Sequence, residues 1–532
     1  MNISFLEKNE KKLLLALFGL AAILYLLSLN NYFWLDGDDV VYSILARSIL
    51  KGEYLNYHNI LNTPNIFYWP GFPILLTIPT LIFGNNIIAL KFIPILCTLI
   101  ALLFLFKYFK LKYGLNWAFI ILILLIINPV IFTFAHTILT QAPFLMSLIF
   151  SIYYIEKTLI EKKSHFSKEF LIGTFFAIFS KYVRPEGDFL ALFVFIYLIL
   201  NKKFKHAIIF SFFFIVLTGF WHIQIHRMYN NASPIQKEYF MPLTGRIQNI
   251  LRKSLVSDKV EILTFKEIID RTIEGWKFFF TENIPVTIFG FKFMQNQLFW
   301  GLIISFLMIF GFILSLKSNS LKEILKNISI MHLYTLFGLA LAILAVGKSE
   351  KYLYPVIPFI IFFIFQALKK LPKFLFVLIF IVFSLFSITL TLENLSRERQ
   401  KPYYDPYFET YLELAKWCKN NTPANAKFIT RKSEYFYWYS NRKGAPILYK
   451  EPEENLKYIY KLDADFLTVT YTGFDGISNP FVSKLLNQYP QFFKVYHYIV
   501  VPGTNLPYYV LKIEKEALKK YVNENLYKEI GE

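Results

Sequence analysis

The sequence predicts a polytopic α-helical membrane protein with about eleven spans, followed by a small α/β domain. Of the 532 residues, 55% are hydrophobic and only 17% are charged. Apolar runs long enough to cross a bilayer recur between residues 11 and 391, and one helical span needs about 20 such residues. From about residue 393 the composition becomes that of a soluble protein. The chain therefore divides into a membrane domain, 1–392, and a soluble domain, 393–532.

Lysines predict the orientation in the cell (plasma) membrane. The formal net charge is +19, and lysine-rich short loops stay on the cytoplasmic side of a membrane. Three lysines precede the first span, about 11–29, so the N-terminus is expected to be cytoplasmic. No basic block is interleaved with stacking aromatics on a soluble domain, which excludes a nucleic-acid partner. Only two cysteines are present, which allow no disulfide framework.

The elements follow in order from the first span. A first outer loop (30–85) contains a helix from Asp39 to about Gly52, whose apolar stripe predicts that it lies on the membrane surface. The Pro-rich segment 66–83 is expected to lie along the outer surface or to dip in without crossing, because a crossing there would put the lysines after residue 106 outside. The remaining spans are 86–106, 115–135, 138–155, 170–183, 187–200, 207–224, 298–316, 328–347, 353–368 and 373–391.

A second outer loop is predicted over 225–295. The number of membrane crossings, counted from the cytoplasmic N-terminus, places the soluble domain outside as well. That domain begins with a helix over 405–421. Five strand-like runs follow, namely KFIT, PILY, ADFLTVTYT, FKVYHYIV and YYVLKIEK.

Three carboxylates, Asp36, Asp38 and Asp39, crowd the start of the first outer loop. They repel one another unless a cation, a helix N-terminus or a substrate hydroxyl compensates. The other polar groups that are not lysine anchors fall on the same side of the membrane, whereas a channel would place charges through the bilayer. These groups are Tyr68, Trp69, His136, Gln141, Lys181, Arg184, Glu186, His222, His226, Lys348, Glu350 and Lys351.

Carboxylates beside cations on an outer membrane face suit sugar transfer from a lipid phosphate. A glycosidase needs two carboxylates because its leaving group must be protonated. A sugar carried on polyprenyl phosphate leaves as a stable phosphate anion, so one base for the acceptor hydroxyl and fixed cations near the phosphate suffice. Direct displacement of the phosphate by an acceptor hydroxyl that one base deprotonates implies inversion at the anomeric carbon.

Several segments resemble the GT-C glycosyltransferases, in the branch of protein O-mannosyltransferases and lipid A aminoarabinose transferases. The first outer loop of that family is similar to WLDGDDVVYSILARSILKGEY, and its later motifs are similar to YWPGFPILL, KYVRPEG, KYLYPVIP and AKWCKNNTPANAKFI. The resemblance implies that Asp38 is the catalytic base, that Asp39 supports it, and that a cation at position 351 lies near the donor phosphate. Two positions depart from the pattern. Lys351 replaces an arginine and loses its bidentate geometry, and Gln141 replaces an acidic residue that could bind metal.

The expected roles follow from both arguments. Asp38 deprotonates the acceptor, and Asp39, with Asp36, positions it or holds a cation. The donor phosphate is expected to bind Lys351, Arg184, Lys348 and Tyr352, and the substrates to contact Tyr42, Arg47, Tyr68 and Trp69. The expected partners are a polyprenyl-phosphate-linked sugar (undecaprenyl or dolichyl) and an acceptor protein, lipid or glycan. No cofactor is certain, and a divalent metal is left open.

Several of the candidate side chains also have a structural interpretation. Asp38 could cap the helix that follows it, and Arg184 and Lys181 could be snorkelling anchors. His222 and His226 have metal-ligand spacing, but packing is favoured because no matching carboxylate is found. Tyr68 and Trp69 could belong to an interfacial aromatic belt. Two other functions are kept, namely a transporter or flippase of lipid-linked sugars and a non-catalytic membrane scaffold.

Overall fold

The computed structural model describes residues 3–35, 37–240, 262–285, 288, 297–316, 323–324, 327–344, 350–472 and 478–526. The chain forms two compact units. Unit 1 comprises Met1–Asn31, Trp69–Ile225 and Thr264–Arg399. Unit 2 comprises Tyr32–Tyr68, His226–Leu263 and Gln400–Glu532. The predicted division at residue 393 stays a prediction, and the structure groups the Asp38 segment with the C-terminal residues.

Unit 1 is built mostly from apolar helices, as its runs of Leu, Ile and Phe predict. Its helices are α1 (Ile3–Leu27), α3 (Gly71–Phe83), α4 (Ile87–Tyr113), α5 (Leu115–Ile126), α6 (Pro129–Ala135), α7 (Gln141–Ile160), α8 (Lys168–Val183), α9 (Gly187–Leu200), α10 (Phe204–Asn231), α12 (Phe265–Phe278), α13 (Gln297–Leu316), α14 (Ile330–Leu344), α15 (Ile357–Leu368) and α16 (Lys373–Glu398).

Within the described residues, five helices are long and apolar enough to cross a membrane. They are Ile87–Tyr113, Gln141–Ile160, Phe204–Asn231, Leu298–Leu316 and Lys373–Glu398. A sixth is counted if α5 and α6, bent by 66° at the break between them, form one span. Asn128 lies in this break and caps the N-terminus of α6. Its side chain accepts hydrogen bonds from the backbone N–H groups of Val130 (3.1 Å) and Ile131 (2.9 Å). These helices indicate a multi-pass membrane protein, and the count of about eleven spans stays a prediction.

The predicted surface segment 66–83 contains helix α3. Its first residue, Gly71, lies so close to helix α8 that a Cβ atom there would come within 2.6 Å of the backbone carbon of Tyr182. Only glycine permits this approach of two backbones. The close approach explains why the Pro-rich segment carries a glycine at the start of its helix.

Unit 2 contains a five-stranded mixed sheet with helices around it. Its helices are α2 (Asp38–Leu50), α11 (Pro234–Phe240), α17 (Pro406–Asn421), α18 (Ser433–Ser440), α19 (Pro452–Leu462), α20 (Asn479–Gln488) and α21 (Lys515–Tyr521). Its strands are β1 (Leu55–Asn56), β2 (Thr63–Pro64), β3 (Lys427–Ile429), β4 (Lys443–Ala445), β5 (Phe466–Val469), β6 (Phe493–Val500) and β7 (Pro507–Ile513).

The sheet has the order β4-β3-β5-β7-β6, in which β4, β3 and β5 are parallel and β7 is antiparallel to both of its neighbours. Four of the five strand-like runs contain these strands. The fifth, PILY, differs, because the strand occupies Lys443–Ala445 immediately before it. Pro446 has no N–H to donate to a ladder, which explains why the strand ends there.

Helix α2 differs from the expected surface helix. Its buried residues include Asp39, Tyr42 and Ser43 as well as the apolar stripe. Within unit 2 the helix packs against α18, where the Arg47 guanidinium lies 3.7 Å from the centre of the Trp438 ring. Burial on nearly every face is typical of a helix inside a folded unit, and an amphipathic surface helix would keep its polar face exposed.

Candidate functional site

The segment that carries the acidic cluster is held in place by Asp39. Gly37 adopts a left-handed conformation (φ 92°) and leads into helix α2. The Asp39 carboxylate is 1% exposed and accepts hydrogen bonds from the backbone N–H groups of Trp34 and Val40, the latter at 2.9 Å. These bonds fit a positioning role for Asp39. Asp36 lies outside the described residues.

Asp38 contacts a predicted substrate residue, Tyr68. The Tyr68 hydroxyl donates a 2.7 Å hydrogen bond to Asp38 Oδ1, and Tyr54 donates to the Tyr68 carbonyl at 2.8 Å. Burial, and then the Asp38 charge, raise the pKa of Tyr68 well above its ordinary value, so the phenol keeps its proton and donates. Gly37 precedes the helix, and no side chain of the described residues caps this terminus. The capping interpretation of Asp38 therefore has no support from this geometry.

Two residues that were not anticipated lie beside Gly37, namely Lys432 and Glu434 at the start of helix α18. A Cβ atom on Gly37 would overlap Glu434 Oε1 and lie 3.2 Å from Lys432 Nζ. The two side chains are 3.8 Å apart (Nζ to Oε1) and only 17% and 15% exposed. Burial raises the pKa of Glu434, Lys432 opposes this shift, and Asp38 adds to it.

Tyr42 and Arg47, the two substrate candidates on α2, lie in different surroundings. The Tyr42 ring meets the Tyr68 ring edge to face, with centroids 5.1 Å apart, so it supports the donor to Asp38. Arg47 lies over Trp438, and burial lowers the pKa of its guanidinium to about 10. This contact joins α2 and α18, while Arg47 Nε and Nη2 have no hydrogen-bond partner among the described residues, and the substrate role of Arg47 stays a prediction.

Two predicted phosphate ligands, Arg184 and Lys351, line one small cavity of unit 1. Glu186 and Tyr352 line it as well, and the cavity has room for about one water molecule. Arg184 makes a bidentate pair with Glu186, with N–O distances of 2.8 and 3.3 Å. Lys348 lies outside the described residues.

Trp69 belongs to a buried aromatic cluster of unit 1. Its side chain is 4% exposed, lies 5.2 Å from the His222 ring centre and has Lys181 Nζ 4.5 Å above its ring. Lys181 also forms an ion pair with Asp188. The packing interpretation of His222, whose side chain is otherwise exposed, stays a prediction, and the contacts leave Trp69 little surface on which a sugar could stack.

A buried polar chain that the sequence did not reveal links helices α4 and α16 of unit 1 with residues that follow α1 and α6. Lys91 Nζ donates to Asn30 Oδ1 at 2.6 Å, and Asn30 Nδ2 donates to Glu398 Oε2 at 2.7 Å. His136 Nε2 lies 3.4 Å from Glu398 Oε1. Lys91 is 3% and His136 is 1% exposed. Gln141, which stands where the family has an acidic residue, is 3% exposed. Its Oε1 has no hydrogen-bond partner among the described residues.

No metal site stands out in the described part of the chain. No group of three or more His, Cys, Asp or Glu side chains there is arranged to hold a metal ion. His222 and His226 are therefore not joined by a third ligand of these types within those ranges.

Comparison with known proteins gives one family match and several structural matches. Residues 64–224 match the family described as dolichyl-phosphate-mannose-protein mannosyltransferase. A search of curated proteins found no match. The crystal structure of ArnT from Cupriavidus metallidurans in the apo state has a TM-score of 0.62 at 10% identity, and the match covers 95% of this chain and 99% of that chain.

Two further structures agree. ArnT from the same organism bound to undecaprenyl phosphate has a TM-score of 0.60 at 11% identity, with 94% of this chain and 97% of that chain covered. The oligosaccharyltransferase from Archaeoglobus fulgidus in the apo form has a TM-score of 0.58 at 12% identity, with 93% and 74% covered. The chain therefore has the GT-C fold. The family and structural matches together support a glycosyltransferase, which confirms the resemblance seen in the sequence.

Proposed function

We propose that this protein is an inverting glycosyltransferase that moves a sugar from a polyprenyl phosphate to an acceptor hydroxyl on the extracytoplasmic face. The observation that carries the proposal is the Asp38 carboxylate, partly exposed and oriented by a hydrogen bond from Tyr68. A general base must be held in position and still reach its proton. Asp38 meets both requirements, and Asp39, fixed by backbone N–H groups, positions it.

In the proposed reaction, Asp38 takes the proton of the acceptor hydroxyl while the acceptor oxygen bonds to the anomeric carbon. The bond from that carbon to the phosphate oxygen breaks, and polyprenyl phosphate leaves with the electron pair. Arg184 and Lys351 would stabilise the negative charge on this leaving group. Both cations line the same small cavity, which supports a shared role; because that cavity has room for about one water molecule, a phosphate would have to widen it.

The lipid partner is proposed from chemistry and from similarity. ArnT, which has the same fold, binds undecaprenyl phosphate in one of its structures, and an undecaprenyl or dolichyl carrier fits the same cations. The orientation proposed for this chain, with the N-terminus cytoplasmic and unit 2 extracytoplasmic in the plasma membrane, comes from the lysine distribution. Labelling of single cysteines at both termini in intact cells tests it.

The decisive experiment incubates the purified protein with a panel of polyprenyl-phosphate sugars and candidate acceptors, followed by mass spectrometry. We expect a glycosylated acceptor and free polyprenyl phosphate. Asp38→Asn should abolish transfer without loss of folding, because an amide cannot accept the proton. Asp463→Asn, which removes a carboxylate with 65% of its side chain exposed in the same unit, is the matched control. Full activity of Asp38→Asn would overturn the proposal.

A further inference from the structure

Helix α18 of the C-terminal segment contacts the Asp38 segment along its length. Tyr435, on α18, donates its hydroxyl hydrogen to the Trp34 carbonyl, and Trp438 meets the Phe33 ring edge to face at 4.9 Å. At the start of the same helix, Lys432 and Glu434 face Gly37. The segment before Asp38 is therefore shaped by residues that lie far from it in the sequence.

The backbone at the start of α18 is fixed so that these two side chains reach Gly37. Lys432 has a left-handed conformation (φ 53°), which costs free energy for a residue with a side chain. Tyr411 holds the turn, because its hydroxyl contacts the carbonyl oxygens of Arg431 and Lys432, the latter at 3.1 Å. A cation and a buried carboxyl are thus kept beside Gly37, although a buried carboxyl is unfavourable by itself.

We propose that Lys432 and Glu434 are positioning residues of the Asp38 site, contributed by the C-terminal segment, and that they act on the base through their opposite charges. The inference rests on the proposed function, because it assigns a role to residues around the same base. Glu434 Oε1 and Lys432 Nζ both crowd the backbone of Gly37, the residue before Asp38, and lie 3.8 Å from each other. Neither residue is required to touch the substrate.

The two charges are opposite in sign, so removal of each is expected to act on the Asp38 carboxylate in the opposite direction. A nearby cation favours the carboxylate form, and a nearby carboxylate disfavours it. Loss of the Lys432 charge should therefore make the base harder to ionise, and loss of the Glu434 charge should make it easier. On helix α2, the titratable groups near Asp38 are Asp39 and Tyr42. On the elements packed against α2, the titratable and charged groups among the described residues are Tyr68, Arg431, Lys432 and Glu434. Asp36 lies outside the described residues.

The test is the pH dependence of kcat/KM for sugar transfer by the purified full-length protein. Lys432→Met should move the midpoint of the acidic limb to higher pH, and Glu434→Gln should move it to lower pH, each by about half a pH unit. Lys432→Arg keeps the charge and should retain the wild-type midpoint. The matched controls are Lys484→Met and Glu451→Gln, which change an ion pair of unit 2 whose side chains are 49% and 68% exposed.

Opposite shifts for the two variants, with none for the controls, support the inference. A wild-type midpoint in both variants overturns it, as does a shift of both in the same direction. If Lys432→Met does not fold, Glu434→Gln decides alone, because loss of a purely structural contact would not move the limb to lower pH. The proposed function fails by a different result, namely absence of transfer by the wild type or full activity of Asp38→Asn.

Discussion

Tyr68 donates a 2.7 Å hydrogen bond to Asp38, and the two residues belong to opposite ends of the predicted first outer loop. A hydrogen bond to a charged acceptor contributes about 1.5–3 kcal/mol. We therefore expect Tyr68→Phe to reduce kcat/KM for transfer by about tenfold or more, because the base loses its orienting donor. The measurement is a transfer assay alongside the melting temperature.

Tyr54→Phe is the control for this prediction. It removes a neighbouring phenol that donates to the Tyr68 carbonyl and not to the carboxylate. We expect a smaller loss of activity from this change. An unaltered kcat/KM in Tyr68→Phe would show that the phenol does not orient the base.

The features that could be predicted from the sequence are those with a local signal. The pair α8 and α9 follows from two apolar runs separated by the polar turn at Arg184 and Glu186, and the helix predicted from Asp39 is α2, which begins one residue earlier. Arg184 and Lys351 were expected to act together because both fall in outer loops. The structure places both on the wall of one cavity.

The contacts with Lys432 and Glu434 have no local signal. The run RKSEYFYWYS indicates a polar start to an aromatic helix, and nothing in its periodicity identifies Gly37 as its partner. The burial of α2 was missed for the same reason. Its apolar stripe is compatible with a membrane surface, and only the tertiary contacts with α18 show that its polar face is covered as well.

Arg47 is predicted to stabilise unit 2 and to have no direct part in transfer. Its guanidinium lies over Trp438 at 3.7 Å, a contact that contributes about 0.5–2 kcal/mol. Arg47→Met should lower the melting temperature by a few degrees and leave kcat/KM per folded molecule close to that of the wild type. A large loss of kcat/KM without a change in stability would instead support the predicted substrate contact.

Glu186 is predicted to compete with the donor phosphate for Arg184. The carboxylate already forms a bidentate pair with the guanidinium. A phosphate must therefore displace the carboxylate or share the guanidinium with it. Glu186→Gln should therefore bind undecaprenyl phosphate about three- to tenfold more tightly, a gain of about 0.6–1.4 kcal/mol. Equilibrium binding of undecaprenyl phosphate to the purified protein measures this change.

Glu10→Gln is the control for Glu186, because it changes a different ion pair of unit 1, with Lys110. Its affinity for the lipid should equal that of the wild type. Weaker binding in Glu186→Gln would mean that the glutamate holds Arg184 in the conformation that binds phosphate.

The buried chain of Lys91, Asn30 and Glu398 is predicted to stabilise unit 1 as one network. Removal of one member of a buried charged network costs about 3–5 kcal/mol, because the other charge is left without compensation. Lys91→Met should thus lower the free energy of unfolding strongly. Glu398→Gln in the same molecule should restore part of the loss, since the uncompensated carboxylate is then gone. Additive losses in the double variant would show that the two residues act independently.

His58 is predicted to make unit 2 sensitive to acid. Burial lowers the pKa of its imidazole to about 4, and an unfolded chain has an ordinary histidine pKa of about 6.5. Above pH 6.5 both states are neutral, so the folded state pays no penalty. As the pH falls from about 6.5 to 4, the unfolded chain gains a proton that the folded unit does not, and stability falls by up to about 3 kcal/mol.

Thermal unfolding followed between pH 7 and pH 4 measures this effect. His58→Gln removes the titrating group and should flatten the decline. The matched control, His226→Gln, changes an exposed histidine and should retain the wild-type decline. His58 Nδ1 has no hydrogen-bond partner among the described residues, so glutamine removes the titrating ring without breaking a bond at that atom. An equally steep decline in His58→Gln would assign the acid sensitivity to other groups.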